Sequence, residues 1–483
     1  MHRYAVLFCC FLAFLRTEAQ YHPLLFGFDE VPQALLINPG ARVSYNWYSG
    51  IPLVSGIWAQ ARSSKLTYND LFANDGIVFT NKVRLNALYN LTSQDEFGAN
   101  LHVDLINFGF RGQKNLQNFY SLGMYLEADH QLYWPEDLVA LGWDGNLGPK
   151  NSTINLGHLN LQGYLRNVLH VGMNRNINKY WTAGIRLKVY SGIYNFTSTR
   201  NSGFFITDSG TGGLQNHTLI ANMRLQTSGL EGFREIITSG VANPETEILN
   251  SAIGSGLLGG NLGLGVDVGF SHKLSDQLWV TGSLLDWGFS SNKTTIRNVV
   301  LRGQQTLGNV NPIQSDALSG ADSAFWQNLV DQIKNMVPIV ENRDSYLTFN
   351  PTRFYGAVRY NFGNQVEEPK DYSYECSCIP SKLRPIKRSP FRNAIGTQVY
   401  AITRPKGPQT ALSVFYQRQL TRKTGLKATY TVDKFSKTNL GLGVNFQVGP
   451  FECYLLADNF LACQNLKGSK LASFQFGLNI LSW

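Results

Sequence analysis

Few residues of this chain stand close enough together in sequence to do chemistry. The strongest local pairing is LHVDL, residues 101–105, where His102 and Asp104 fall two apart and so share one face of an extended strand. Glu127 and Asp129 repeat the spacing on the next predicted strand. A histidine beside a carboxylate is half of an acid–base pair. A hydrolase also needs a positioned serine and donors for an oxyanion, and nothing local supplies them. The sequence holds no Walker loop, no HExxH, no GxSxG and no paired CxxC. Cys376 and Cys378 are too close for the usual paired zinc ligands, and no histidine lies near them. With Cys453 and Cys463 they are too few for a disulfide-built scaffold, which leaves a structural or incidental role. The reading is therefore of a protein that is not an enzyme and needs no cofactor and no metal.

A second set of polar residues recurs within apolar surroundings. Arg186, Lys188, Asp267, Arg353 and Arg359 stand on the polar side of alternating stretches, as do Glu127, Asp129 and Lys427. If that side faces inward, two readings are open. The charges could neutralise one another, because buried charges must pair. Alternatively they could bind an amphipathic anion, with its headgroup near Arg186 and Lys188.

The elements that would carry these residues are strands. NLGLGVDVGFSH, residues 261–272, puts Leu262, Leu264, Val266, Val268 and Phe270 on one parity and Gly263, Gly265, Asp267, Gly269 and Ser271 on the other. NLGLGVNFQV, 439–448, and YWTAGIRLKVYSGIY, 180–194, do the same. A soluble sandwich also alternates, but its strands usually run about five or six residues, whereas a tilted membrane strand needs about 9–11. The polar parity is rich in Gly, Asn, Ser and Gln, which suits a crowded lumen. Aromatics make up 12% of the chain and recur near strand ends, at Tyr133 and Trp134, Tyr180 and Trp181, and Trp287 and Phe289. Girdles of that kind mark bilayer interfaces.

The fold class expected is all-β: an antiparallel transmembrane β-barrel of about 14 strands, with an N-terminal plug segment and a few short loop helices. Strands are predicted near 42–62, 99–110, 116–132, 154–173, 180–195, 260–273, 278–291, 346–362, 393–404, 409–420, 424–433, 438–448, 450–458 and 470–482. Short turns alternate with long connections at 63–98, 133–153, 196–259 and 292–345. Helices are expected at 319–337, where Phe325, Leu329, Ile333 and Met336 share a face, near 135–141, and over 82–92. Residues 363–392 read as an irregular basic loop, either a solvated excursion or a docking site for an acidic partner.

The first nineteen of the 483 residues have the basic start, apolar run and small-residue end of a cleaved secretory signal. Residues 20–41 do not alternate and precede the first strand, as a plug or periplasmic segment; 42–483 form the barrel. Net charge is +9, with no dense lysine block and no nucleic-acid motif, so nucleic acid is not an expected partner.

Three stretches carry a resemblance: FDEVPQALLINPGARVSYNWYSGIPLVSGI, GLGVDVGFSHKLSDQLWVTGSLLDWGF and LLADNFLA. Together they resemble an uncharacterised outer-membrane barrel family of Bacteroidota and, more distantly, the long-chain fatty-acid transporter barrels. The resemblance implies a bacterial outer-membrane location and a plug containing Asn38 and Pro39, with Gly40 where those transporters usually have Ala. The functional expectation is binding or passage of a hydrophobic or amphipathic small molecule, with outer-membrane lipid around the barrel. The alternative is a non-transporting structural or interaction component of an export or surface assembly, with an outer-membrane protein partner.

Overall fold

The computed structural model describes residues 22–146, 153–239, 243–310, 331, 339–365, 391–421, 423–436 and 438–482. The expected signal segment, the helix at 319–337 apart from Asp331, and most of the basic loop at 363–392 lie outside these residues, as do Cys376 and Cys378.

Strict alternation produces what it predicts. A closed antiparallel barrel of 14 strands is built from Trp47–Gly50 with Ile57–Ser63, Glu96–Arg111, Asn118–Tyr133, Asn160–Asn176, Trp181–Ser209, Leu262–Lys273 and Leu278–Asn292. It continues through Arg353–Gln365, Phe391–Ile402, Gln409–Thr421, Thr424–Val432, Asn439–Val448, Phe451–Ala457 and Leu471–Ser482. Closure is direct: Trp47 pairs with Ser482, and Ile57 with Phe476. Residues 51–56 leave the ladder as a bulge, which divides the first strand. The strand ends at Trp47 and Ser482 lie at the end of the barrel that carries the short turns.

The two parities face two media. Leu262, Leu264, Val268 and Phe270 are exposed on the outside, while Asp267 and Ser271 are buried in the lumen. Ile185 and Leu187 point out and Arg186 and Lys188 in; Leu440 and Phe446 point out and Asn439 and Asn445 in. At about 3.3 Å per residue and the tilt of such barrels, the run from Leu262 to Phe270 spans roughly 20 Å, near the height of a hydrocarbon band. Trp47, Phe110, Tyr180, Trp181 and Phe451 ring the short-turn end on the outside, and Trp287, Phe289 and Phe349 stand toward the other. Tyr133 and Trp134 do not join these rings. Tyr133 is buried inside the barrel, and Trp134 packs edge-on to Phe97.

Among the described residues, two of the predicted long connections carry regular structure. The strand Trp181–Ser209 runs 29 residues and rises beyond the barrel. It pairs there with Gln215–Ser228, which pairs with Ile296–Val310, which pairs with Ile339–Asn342. Beyond 196 the apolar parity of this sheet is covered by a local core rather than by the outer surroundings of the barrel, and the period-two signal is shorter there. Helices Leu230–Thr238 and Pro244–Gly256 also lie within 196–259. One face of the extension packs Phe205, Leu219 and Ala221 against Leu141, Ile154 and Leu156. The expected helix near 135–141 is present as Glu136–Asp144, and that over 82–92 as Phe79–Lys82 running into a wider π turn, Val83–Leu88.

Candidate functional site: a lumen filled by its own N-terminal segment

Residues 22–46 lie inside the barrel. Pro32 opens a short turn of helix, Ala34–Ile37, and Pro39–Gly40 end it. Its apolar side chains, Leu24, Leu25, Phe26, Phe28, Val31 and Ile37, are buried against an apolar strip of the inner wall. That strip is made by Trp58, Leu285, Tyr355, Tyr400, Tyr454 and Leu456. Phe26 stacks on Tyr355 at 5.0 Å. Each such Leu or Phe, fully buried, contributes roughly 1.5–3 kcal/mol, so the segment is seated chiefly by apolar contact.

The segment's backbone polar groups cannot be left dry and unpaired, and wall side chains take them up. Arg186 donates to Leu35 O at 2.9 Å and Leu36 O at 2.5 Å. Ser283 donates to Ile37 O at 2.7 Å, and Asn174 to Pro39 O and Ala41 O at 2.7 and 2.8 Å. Lys427 donates to Phe26 O at 2.5 Å, Gln398 to Pro23 O at 2.6 Å, and Arg359 to Gly27 O at 3.1 Å. Gln33 reaches the wall itself, donating to Ser55 O at 2.7 Å and Asn479 Oδ1 at 2.9 Å. Asn38 accepts from Gly40 N and donates to Phe270 O, which fixes the turn against the wall. Glycine is required where this turn passes: Gly184 and Gly269 are register partners, and a Cβ on either would collide with Pro39 or Asn38.

Four of the five predicted lumen residues come together beneath the turn. Asp267 accepts from Arg186 Nε at 2.8 Å and lies 2.9 Å from Lys188 Nζ. Lys188 also reaches Asp286 at 2.7 Å, and Arg353 joins Asp286 at 3.0 Å to Glu127 at 2.6 Å. Arg166 closes the chain on Glu127 at 2.9 Å. All seven groups are buried. Four cations thus face three carboxylates, and the carbonyls of Leu35 and Leu36 complete the shell of Arg186. Arg359 stands apart, donating to Asn361 and to the plug. Asp129 pairs with Arg404 at 2.9 Å, outside this cluster.

Sequence reasoning missed Arg166, Asp286 and Arg404. The parity of Arg166 with His170 and Asn174 was available as a signal. Asp286 was hidden, because it sits at a bulge with φ of 59° that breaks the alternation between Leu284 and Trp287.

The expected His102–Asp104 pair forms at 2.8 Å. Ser55 Oγ lies 3.3 Å from the Asp104 carboxylate rather than beside the imidazole. That order does not activate a serine, since the base must touch the nucleophile. Glu136, Asp137 and His158 bring three potential ligand atoms within 4.8 Å at the long-loop end. Their geometry has a simpler cause. Glu136 accepts from Ser93 N, Asp137 accepts from Asn155 N, and both carboxylates open a helix whose dipole favours them.

A cavity lined by Pro23, Tyr355, Gln398, Tyr400 and Ala411 measures about 10 Å³, room for one water at most. Among the described residues no helix is long and apolar enough to cross a membrane.

A closed antiparallel barrel with an apolar exterior, a charged lumen and an internal plug defines the class of this protein. The chain belongs to the family of unknown function DUF5723, whose profile matches residues 39–458. No curated protein matches it. Among solved structures it is similar to the Pseudomonas putida toluene transporter TodX, at 8% identity and a TM-score of 0.36, covering 96% of this chain and 94% of that one. It is similar also to a FadL homologue of Pseudomonas aeruginosa, at 10% identity and 0.36, covering 93% and 94%. The translocator domain of the Neisseria meningitidis autotransporter NalP aligns as well, at 6% identity and 0.30, covering 95% and 99%. Likeness at this level assigns no cargo, so what the lumen can pass must be read from its own lining.

Proposed function

We propose that this protein sits in a bacterial outer membrane and passes a hydrophobic or amphipathic small molecule through its lumen when the N-terminal segment moves. The observation that supports this most is the composition of the plug's seat. Leu24, Leu25, Phe26 and Phe28 fill an apolar strip that continues into the Arg186–Lys188 cluster. Water entering behind a departing plug would not restore the burial lost, whereas an apolar chain would. The paired carbonyls of Leu35 and Leu36 occupy the fork of Arg186 in the way a bidentate anion does. A molecule with an oily tail and a single anionic head would replace both sets of contacts. The remaining site residue, Arg359, would act through the plug, because it holds Gly27 O.

Reconstituted vesicles test this reading. The chain lacking residues 20–40 should take up an amphipathic anion faster than the intact chain, in competition with unlabelled anion. Equal, negligible uptake by both would support the alternative, a structural or interaction component of a surface assembly. The extension sheet favours that alternative to a degree, since a barrel alone needs no 29-residue strand. Capture of a stoichiometric partner that is lost when 210–228 are removed would decide for it.

A further inference from the structure

Beside the barrel mouth, the connections 64–95 and 458–470 build a ledge on the outer side of the wall. Ser63 N bonds Lys470 O, so the two connections leave neighbouring strand ends, and helix Tyr68–Phe72 packs on the turn Leu466–Gly468. The ledge has its own small core of Leu66, Ala87 and Leu91, which packs on Phe97. Phe97 decides where the ledge hangs. Gly98 and Asn100 share the lumen parity with buried Glu96, so Phe97 belongs to the outward parity, next above Ala99, Leu101 and Val103 of the apolar band. It is partly buried and packs against the ledge's core.

The free face of this ledge is aromatic. Tyr68 and Phe72 lie 4.8 Å apart and Phe72 and Phe79 5.5 Å, and all three side chains are about half exposed. Leu466 on the adjoining turn is 62% exposed, with Lys467 and Lys470 beside it. Water makes a poor neighbour for such a surface. We infer that the Tyr68–Phe79 ledge is immersed in the headgroup zone of the same bilayer that the barrel spans, with Lys467 and Lys470 at the level of anionic lipid groups. Three observations meet there: the ledge continues the apolar band outward, its surface carries the aromatic residues that favour a membrane interface, and the exposed charges of its adjoining turn, Lys467 and Lys470, are basic, while Asp75 between Phe72 and Phe79 is neutralised by Lys82 at 2.6 Å. This inference rests on the membrane-spanning reading of the barrel.

Spin labels test it. Single cysteines replace Phe72 and Phe79, with Leu264 and Asp276 as controls, in a chain whose native cysteines are serine. Each variant is reconstituted in phosphatidylethanolamine–phosphatidylglycerol vesicles, and folding is checked by heat-modifiable migration. Labels at 72 and 79 should collide more with oxygen than with a water-soluble nickel chelate, at depths shallower than Leu264. Accessibility at 72 and 79 equal to that at Asp276, with Leu264 still lipid-protected, would overturn the ledge alone. Nickel access at Leu264 as well would overturn the spanning reading beneath it. As a second arm, Lys467→Glu with Lys470→Glu should move both labels outward in anionic vesicles and not in zwitterionic ones; no shift in either would also contradict the inference.

Discussion

At the residue scale the decisive contacts are those that join wall to plug. Arg186 serves two partners at once, a buried carboxylate and two backbone carbonyls. Removing one member of a buried pair typically costs about 3–5 kcal/mol, because the other is left uncompensated. Arg186→Met is therefore expected to loosen the plug and lower stability. Arg186→Met combined with Asp267→Asn should recover much of the fold while leaving the plug loose, which urea unfolding and single-channel conductance would separate. A second residue contributes to pH dependence from outside the strands, as does Asp458, whose carboxyl is likewise pushed up to about 6 by burial. Burial pushes the Asp433 carboxyl up to about 6 from its ordinary 3.8, against hydrogen bonds from Ser436 N and Phe435 N. Between those values the folded chain keeps a proton that the unfolded chain has released. Its contribution to stability is thus present at low pH and is lost as pH rises through that window. Asp433→Asn should shrink this step in a denaturation series from pH 4 to pH 7, and Asp433→Asn with Asp458→Asn should shrink it further. The side-chain identities behind the Arg186 cluster were legible, since alternation put Arg186, Lys188, Asp267 and Arg353 on one face. Their pairing was not, because it runs through Asp286 at a bulge that no period reveals.

At the element scale the wall and the plug make separate demands. Leu264 faces outward on its strand, and Val444 shares the outward parity of Leu440 and Phe446. Arginine at either should impair insertion by roughly 2–4 kcal/mol near the bilayer midplane. Arginine at Gly265 or Gly443 should act by crowding, against Tyr190 and Leu456 respectively. Refolding titrations into vesicles would distinguish them, and equal, mild effects at all four would count against the two-faced strand. Gly184 and Gly269 carry a different load. Gly184→Leu with Gly269→Leu should expel the Asn38–Gly40 turn and raise conductance without altering strand content by circular dichroism. Every barrel strand was legible because one side of it meets apolar surroundings and the other a polar interior. The extension strands at 196–209, 215–228 and 296–310 were not read as strands, although 215–228 alternates with His217, Leu219, Ala221, Met223 and Leu225 on one parity, because the signal there is short and lies within a long connection. Residues 20–41 stood out by contrast as a non-alternating stretch ahead of the first strand, with a plug and a periplasmic segment both open, and the inserted segment runs on to 46. Its anchoring by Asn174, Ser283 and Gln398 was not, because those residues look like any other polar lining.

At the scale of the whole molecule the barrel holds in its lumen a segment whose apolar side chains and carbonyls resemble its proposed cargo. The interior closes around apolar side chains and a charge network with one cation in excess of its carboxylates, and the plug supplies the balance. The most direct test is transport with and without that segment. Vesicles bearing the intact chain, the chain lacking residues 20–40, and Arg186→Met would be loaded equally and followed for uptake of a fluorescent long-chain carboxylate. The account predicts slow uptake by the intact chain, faster and competable uptake by the shortened chain, and, for Arg186→Met, whose fork for the anionic head is gone, uptake that unlabelled anion does not compete. Identical, near-background uptake by all three, with every sample folded and inserted, would contradict it.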